Sequence, residues 1–269
     1  GYVSVGEVVV VGPDVDRKWQ GRRIFSFHPH ESYYTAEIGD ILAIPERLDT
    51  LDALFLPNME TAVNLVMDGQ PVIGEHVCIF GQGVVGLLTT ALLAQFPLHR
   101  LVTFDRYAVR RRASLEAGAD SAWDPNEPEV TGDSPNVERL NSAAGPADLV
   151  YELSGNPQAL NQAIQLAGFG ARIVLGSWYG NRVAQLDLGG RFHRNRIRLI
   201  SSQVSTLPPQ FSARWTKKRR INTAWKMIQK LKPTPLITHQ FPISRAKEAY
   251  ELLDKHPQEA IQVIFTYDP

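Results

Sequence analysis

The sequence predicts an α/β fold in which a doubly wound parallel sheet follows a β-rich region. From residue 50 onward, near-continuous apolar runs alternate with segments of helical period, a pattern typical of parallel strands covered by helices on both faces. A Gly-rich turn joins the first of these apolar runs to the helical segment LLTTALLAQF. Before residue 48 the apolar runs are short and broken by Gly, Pro and Asp, which favours a β-rich region there.

The predicted elements follow in order along the chain. The first strands have the sequences VGEVVVVG, RRIFSFHP and AEIGDILAIP, and the helical segment TLDALFLPNMETAVNLVMDG, which ends at Gly69, comes next. Six strands of the parallel sheet have the sequences HVCIF, LVTFD, SAWDP, ADLVYELSG, ARIVLGS and IRLISSQV. Predicted helices between them are VRRRASLEAGA and NPQALNQAIQLAGFG, and residues 124–146 form a solvated connection with a short helix at VERLNSAAG. Two amphipathic helices, INTAWKMIQKLK and SRAKEAYELLDKH, precede a final strand, QVIFTYD.

Composition excludes several classes of protein. The 28 basic residues balance the 28 acidic ones, so nothing indicates a nucleic-acid or anionic-membrane partner. The run from Lys217 to Arg220 is the only local excess of charge that we identify, and we interpret it as an exposed helix start. The single cysteine, Cys78, lies within an apolar strand and excludes a disulfide framework or a four-cysteine zinc site. Because no apolar run approaches 18 residues and no leader opens the chain, we expect a cytoplasmic protein.

The Gly-rich turn predicts a dinucleotide site. Gly81 allows the tight turn out of the strand, Gly83 lets the backbone approach a pyrophosphate, and Gly86 lets the helix pack closely against the sheet. The N–H groups at the start of that helix, at Val84 and Val85, point toward the bound anion together with the positive end of the helix dipole.

Asp105 favours NAD as the dinucleotide. It ends the next strand, nineteen residues after Gly86, where an acidic residue accepts hydrogen bonds from the adenosine ribose. A carboxylate there repels the 2′-phosphate of NADP. Arg106 and the run Arg110–Arg112 leave NADP possible, since guanidinium groups can hold that phosphate; we favour a solvated helix face for these arginines.

The chain resembles the medium-chain dehydrogenases/reductases, the superfamily of the zinc alcohol dehydrogenases. The resembling pieces are GYVSVGEVVVVG, AIPERLDTLDALFLP, VCIFGQGVVG with Asp105, ADLVYELSGNPQAL, ARIVLGSWYG and PLITHQFPISRAKEAYELLDKHPQEAIQVIF. The resemblance implies part of a GroES-like catalytic domain in residues 1–47, whose first portion is missing, and a Rossmann domain in 48–205. It also implies a C-terminal segment, 206–269, that returns to the catalytic domain. Further cofactor contacts that it implies are Ser154, Gly155, Gly176, Ser177, Trp178, Ser202 and Gln203.

The sequence departs from the resembling family at the zinc ligands. The family's Gly-His-Glu tripeptide reads Gly1-Tyr2-Val3 here, and no cysteine lies near residues 56–58, where the late ligand belongs. We therefore predict no metal. Candidate catalytic residues are Tyr2, His28 and Glu60. Tyr2 could instead be a packing residue of a strand, and His28 could be an ordinary loop imidazole beside His30. Glu60 could instead be a favourable charge in the first turn of a helix. A metal held by His28, His30 and Glu60 stays conceivable.

These observations together predict an NAD(P)-dependent oxidoreductase. It would transfer a hydride between nicotinamide and a small alcohol or carbonyl substrate without catalytic zinc. We expect a homodimer or homotetramer. Substrate alternatives are a polyol or sugar and, from the Gly-Tyr-x-Ser-Val-Gly opening, the hydroxyethyl group of bacteriochlorophyllide. An alternative from another class is a dinucleotide-binding protein without turnover.

Overall fold

The computed structural model describes residues 1–126 and 146–267, so the helix predicted at VERLNSAAG lies outside the described residues. The strands are β1 (Ser4–Glu7), β2 (Arg23–Ser26), β3 (Ile41–Ala43), β4 (His76–Phe80), β5 (Arg100–Phe104), β6 (Ser121–Trp123), β7 (Ala147–Glu152), β8 (Ala167–Leu175), β9 (Arg198–Ser201), β10 (Ile237–Pro242) and β11 (Gln262–Thr266). The helices are α1 (Thr50–Ala53), α2 (Leu56–Gly69), α3 (Val84–Leu93), α4 (Ala108–Glu116), α5 (Pro157–Leu166), α6 (Lys217–Leu231) and α7 (Ala246–Lys255), with short 3₁₀ turns between them.

The six strands predicted for the parallel sheet form that sheet in the described part of the chain. Their order is β6-β5-β4-β7-β8-β9, and every neighbouring pair is parallel. All five residues of β4 are buried, because helices cover both faces. Cys78 and Phe80 pack with α5 on one face, whereas Val77 and Ile79 pack with Leu65 of α2 and Leu93 of α3 on the other. The predicted doubly wound α/β fold is confirmed.

The strand order places a topological switch point between β4 and β7. From β4 the chain winds outward through β5 and β6, and from β7 it winds outward in the opposite direction through β8 and β9. Ligands of open parallel sheets bind in the crevice that this reversal opens at the carboxyl ends of the strands. The Gly-rich turn follows β4 and therefore lies at this crevice.

The β-rich beginning of the chain forms a small antiparallel sheet, β1-β2-β3. Its first strand is shorter than the predicted VGEVVVVG, which was wrong beyond Glu7: Val9 and Val10 lie outside the strand and are 57% and 78% exposed. A strand needs a hydrogen-bonded neighbour, and the pairing of β1 with β2 ends at Glu7 and Arg23.

Two further boundaries differ from the sequence prediction. The helical segment that begins at Thr50 is split between α1 and α2, because Pro57 lies in the first turn of α2 and lacks the N–H that an uninterrupted helix would need. The helix predicted to run through Gly170 ends at Leu166. Residues from Ala167 onward instead pair with β7 as the start of β8, since sheet pairing outweighs local helical period.

The C-terminal residues form a second small sheet, β10-β11, of two parallel strands. The predicted helices α6 and α7 and the strand β11 are confirmed, whereas β10 was not predicted. Trp225 of α6 packs edge-on against Phe25 of β2, and the ring of His30 meets Phe265 of β11 edge-on at a centroid distance of 4.8 Å. These contacts join the C-terminal elements to the first sheet. The domain boundaries at residues 47 and 205 stay a prediction.

The basic run at the start of α6 is only partly the exposed helix start that we predicted. Lys217, Lys218 and Arg219 are exposed, but Arg220 is 1% exposed, so the prediction was wrong for this residue. An arginine is buried only when its charge is paired, which the next section describes. Within the described residues, no helix is both long and apolar enough to cross a membrane.

Candidate functional site

The Gly-rich turn forms an open cradle at the start of α3. Gly81 has φ +90°, and a Cβ there would lie 2.5 Å from the Cα of Ser154, so only glycine fits. A Cβ on Gly86 would lie 1.9 Å from the carbonyl oxygen of Gly81, so this glycine allows the close approach of helix and turn. A Cβ on Gly83, the N-cap residue of α3, would meet nothing within 4 Å. The space above Gly83 faces the first-turn N–H groups, which have no acceptor within the helix.

Asp105 is held against this turn. Its carboxylate is largely buried and follows β5, and it accepts hydrogen bonds from the backbone N–H of Gln82 at 2.7 Å and of Tyr107 at 2.8 Å. The side chain of Gln82 is itself buried and accepts a hydrogen bond from the hydroxyl of Thr90. The structure therefore brings Asp105 and the turn together beside the space above Gly83.

The arginines after Asp105 are not the solvated helix face that we favoured. Arg110 donates to the carbonyl oxygens of Pro257 and Ala260, and Arg111 donates to the carbonyl oxygens of Asp105 and Arg106 and pairs with Asp124 at 3.2 Å. That interpretation was wrong for Arg110 and Arg111, whose guanidinium groups are used to join segments of the fold. Arg106 and Arg112 are exposed, and Arg106 lies over the ring of Tyr107.

On the other side of the switch point, two loops meet through hydrogen bonds. The N–H of Gly155 donates to the hydroxyl oxygen of Ser177 at 2.8 Å. The N–H groups of Gly176 and Ser177 donate to the backbone carbonyl oxygen of Glu152, the last residue of β7. The structure therefore brings together four of the predicted contacts, Ser154, Gly155, Gly176 and Ser177, at the carboxyl edge of β7 and β8.

The remaining predicted contacts are placed differently. Trp178 is 90% exposed, so its ring is free of the fold. The hydroxyl of Ser202 donates to the carboxylate of Asp68 on α2 at 2.6 Å and accepts from the amide of Asn64. Burial raises the pKa of Asp68, and the hydrogen bond from Ser202 opposes that rise. Gln203 accepts the N–H of Ser205 and so shapes the turn after β9.

Sequence reasoning missed two residues of this edge, Glu152 and Tyr179. The carboxylate of Glu152 is fully buried and accepts hydrogen bonds from Ser154 and from the hydroxyl of Tyr179. A signal was present, because Glu152 is a charged residue inside the apolar run ADLVYELSG, and such residues in buried strands have a specific role. Tyr179 carried no comparable signal.

The three candidate catalytic side chains have separate partners. Tyr2 is 61% exposed and stacks on Phe27. His28 stacks on Tyr34 at a centroid distance of 3.7 Å. Glu60 forms an ion pair with the buried Arg220 at 2.9 Å and lies in the second turn of α2. Across residues 1–126 and 146–267, no hydrogen bond or ring contact joins any two of Tyr2, His28 and Glu60.

These residues do not fit a catalytic zinc ion, which needs three protein ligands. In the described part of the chain, no group of three His, Cys, Asp or Glu side chains is arranged to hold a metal ion. The conceivable site of His28, His30 and Glu60 is therefore not assembled, and Glu60 is engaged by Arg220. Burial lowers the pKa of His30.

Comparisons with known proteins agree with this fold. The model of the zinc-binding dehydrogenase family matches residues 84–218, which is half of the chain. D-guloside 3-dehydrogenase of Escherichia coli (strain K12) is 23% identical over 273 residues, and the alignment covers 99% of this chain and 77% of that protein.

Two solved structures share the fold. Zinc dependent alcohol dehydrogenase 2 from Streptococcus pneumoniae, in its apo form, has a TM-score of 0.79 at 20% identity, and the alignment covers 100% of this chain and 82% of the other. The short chain alcohol dehydrogenase RspB from E. coli CFT073, complexed with NADH, has a TM-score of 0.77 at 18% identity, covering 97% and 82%. The chain is therefore an alcohol dehydrogenase-like oxidoreductase that belongs to the zinc-binding dehydrogenase family of the medium-chain superfamily.

Proposed function

We propose that the chain binds NAD and transfers a hydride between its nicotinamide and the alcohol or carbonyl carbon of a small molecule. The observation that carries the proposal is the open cradle above Gly83, with Asp105 on one side and the loops after β7 and β8 on the other. A pyrophosphate in the cradle would accept hydrogen bonds from the first-turn N–H groups of α3. The adenosine half would then extend toward Asp105 and the nicotinamide half toward Ser154 and Ser177.

Asp105 supports NAD over NADP. Both of its oxygens already accept backbone N–H groups, which fixes the carboxylate at the end of β5, and each oxygen retains a lone pair for a ribose hydroxyl. A 2′-phosphate would meet this negative charge. Arg106 is the arginine best placed to oppose that effect, because it is exposed and adjacent, whereas Arg110 and Arg111 are engaged elsewhere.

The protein's own groups would have to orient the substrate and stabilise the charge that develops on its oxygen. Nicotinamide, when bound, supplies or accepts the hydride. Because the described donor set does not fit zinc, the hydrogen-bond donor to the substrate oxygen would be a side chain, and Tyr2 and His28 stay our candidates. Glu60 is less suitable, since its carboxylate balances the charge of Arg220.

A polyol or sugar is the substrate class that we favour, because the chain is similar to D-guloside 3-dehydrogenase over nearly its whole length. The hydroxyethyl group of bacteriochlorophyllide stays the alternative substrate. A binding protein without turnover is the alternative function, and the separation of Tyr2, His28 and Glu60 is the observation in its favour. Assays of a polyol panel with NAD, alongside cofactor binding, distinguish an enzyme from a binder.

The variant Gly83→Val tests the cofactor site. Its side chain would enter the open space above α3, so the fold should persist while the affinity for NADH falls at least about tenfold. Fluorescence titration with NADH measures the affinity, and circular dichroism checks the fold. Gly6→Val is the matched control, because a Cβ on Gly6 also meets nothing within 4 Å and Gly6 lies in β1. Equal NADH affinity in both variants would contradict the proposed site.

A further inference from the structure

The carboxylate of Glu152 is buried at the switch point and forms no ion pair within the described part of the chain. Glu152 ends β7 and pairs in register with Phe80, the last residue of β4 before the Gly-rich turn. Its side chain is 0% exposed, less than that of any other carboxylate in the described residues. Burying a charge is costly unless the charge is hydrogen-bonded or paired, so the surroundings of this group have to stabilise it.

The hydrogen-bond donors that the described residues provide to this carboxylate are all neutral. The N–H of Ser154 donates to Oε1 at 2.8 Å, the hydroxyl of Ser154 donates to the same oxygen, and the hydroxyl of Tyr179 donates to Oε2 at 2.6 Å. Burial first, and then the hydrogen bond to Glu152, raises the pKa of Tyr179, so its hydroxyl stays protonated and donates.

Other buried or half-buried glutamates of the described chain are neutralised by arginine. Glu60 pairs with Arg220 at 2.9 Å, and Glu75, before β4 at the opposite end of the sheet, pairs with Arg172 at 2.7 Å. Across the described ranges no Lys, Arg or His forms an ion pair with Glu152. The negative charge of Glu152 is therefore not neutralised by an ion pair in the described residues, and its field acts on the loops that surround it.

The loops that Glu152 holds are those on the nicotinamide side of the cradle. Asp105, after β5, marks the adenosine side, so the other half of the dinucleotide extends over β7 and β8, where Ser154 and Tyr179 lie. This step rests on the proposed function. The nicotinamide ring carries a positive charge when oxidised and none when reduced, so a nearby buried anion distinguishes the two forms.

We propose that Glu152 sets the relative affinity of the site for oxidised and reduced nicotinamide, favouring the oxidised, cationic ring. Its hydrogen-bonded loops fix the distance between the carboxylate and the ring, and its charge lowers the free energy of bound NAD⁺ but not that of bound NADH. Tyr179 moderates this effect, because its hydroxyl offsets part of the carboxylate's negative potential.

The variants Glu152→Gln and Tyr179→Phe test the proposal on the full chain. Glutamine keeps the size of the side chain and can still accept from Ser154, but it removes the charge. The ratio of the dissociation constant of NAD⁺ to that of NADH should rise about tenfold, because the attraction between the carboxylate and the cationic ring is lost. Tyr179→Phe should shift the ratio in the opposite direction, since it removes a donor and keeps the carboxylate.

Controls separate this effect from general damage. Glu75→Gln removes an equal charge from the opposite end of the sheet and should leave the ratio unchanged. ADP-ribose, which lacks the nicotinamide, should bind wild type and every folded variant alike. Calorimetry or competition fluorescence measures all three ligands, and circular dichroism checks folding.

Each outcome decides a different question. An unchanged ratio in Glu152→Gln, or equal losses for NAD⁺ and NADH, would overturn the proposal and leave Glu152 a structural role. If Glu152→Gln does not fold, Tyr179→Phe decides: a lower ratio supports the proposal, and an unchanged or higher ratio overturns it. Failure of the wild-type chain to bind NADH and ADP-ribose would instead contradict the proposed function.

Discussion

Single residues define the cofactor half of the site, and Asp105 illustrates how. The sequence placed an acid at the end of the second parallel strand, which was enough to predict a ribose contact. The structure adds that the same carboxylate holds the N–H of Gln82 at 2.7 Å. Asp105 therefore shapes the Gly-rich turn as well as the expected ribose pocket. A substitution there changes both the charge that faces the ribose and the hydrogen bond that holds the turn.

Cofactor preference should follow the charge of Asp105. In Asp105→Ser the repulsion of a 2′-phosphate is lost and the exposed Arg106 becomes available to it. We expect the preference to shift toward NADPH by about 1–3 kcal/mol, the scale of one hydrogen bond to a charged group. Dissociation constants of NADH and NADPH measure this shift.

Asp105→Asn is the control for loosening of the turn, because it removes the charge and keeps one of the two oxygens that accept the N–H groups of Gln82 and Tyr107. A similar shift in Asn and Ser variants indicates electrostatics, whereas a shift in Ser alone indicates a loosened turn. A wild-type chain that already binds NADPH more tightly than NADH would show that our interpretation of Asp105 is wrong.

At the scale of elements, one buried arginine connects three parts of the fold. Arg220 of α6 pairs with Glu60 of α2 and donates to Asn64 Oδ1 at 2.6 Å. It also donates to the backbone carbonyl oxygens of Val204 and Thr206, in the loop after β9. The loop that carries the predicted contacts Ser202 and Gln203 is thus fixed to two helices through a single side chain.

Removing Arg220 should destabilise the fold strongly. Arg220→Met would leave Glu60 as a half-buried charge without a partner and two carbonyl oxygens without a donor, so we expect the free energy of unfolding to fall by about 3–5 kcal/mol. Urea denaturation followed by tryptophan fluorescence measures the loss. The double variant Glu60→Leu, Arg220→Met should recover part of it, because no unpaired charge remains.

Arg220→Lys keeps the charge but lacks the planar fork that reaches several acceptors, so its loss should be intermediate. A free energy of unfolding in Arg220→Met within about 1 kcal/mol of the wild type would mean that the ion pair contributes little, as exposed pairs do.

Over the whole molecule, charge is distributed far less evenly than the neutral total indicates. Residues 188–247 contain no Asp or Glu but hold 14 of the 28 lysines and arginines. Our prediction that residues 217–220 were the only local excess was therefore wrong. The segment includes α6, whose cationic residues lie on the surface except for Arg220. The acidic remainder of the chain supplies partners such as Glu60 and balances the total.

Metal content is a property of the whole chain that elemental analysis can check. Since the described residues hold no suitable group of three ligands, we expect the purified chain to retain well below one zinc ion per molecule after dialysis. The double variant His28→Ala, His30→Ala should lose any residual binding, because these two imidazoles lie two residues apart in a loop, whereas the equally spaced His76 and Cys78 are buried in β4. Stoichiometric zinc that persists in the double variant would place the metal at ligands that we interpret as packing residues.

The sequence by itself determined the elements whose signals are local. Three such signals depend on backbone sterics and short-range periodicity. They are the alternation of apolar runs with helical segments, the spacing of Gly81, Gly83 and Gly86, and an acid at residue 105. The parallel sheet and the cofactor turn could therefore be predicted. The end of α2 at Gly69 was also predicted, although the left-handed residue that ends the helix is Gln70.

Only the tertiary structure decided which distant side chains meet. Glu60 pairs with Arg220, and Glu152 accepts hydrogen bonds from Ser154 and Tyr179. Helix α5 ends where β8 begins to pair with β7. None of these contacts follows from the spacing of the residues in the sequence. A side chain's partner depends on burial and on the strand order of the sheet, which reverses between β4 and β7, rather than on its neighbours in the chain. For this reason Glu60 was first considered a catalytic candidate and Glu152 was missed.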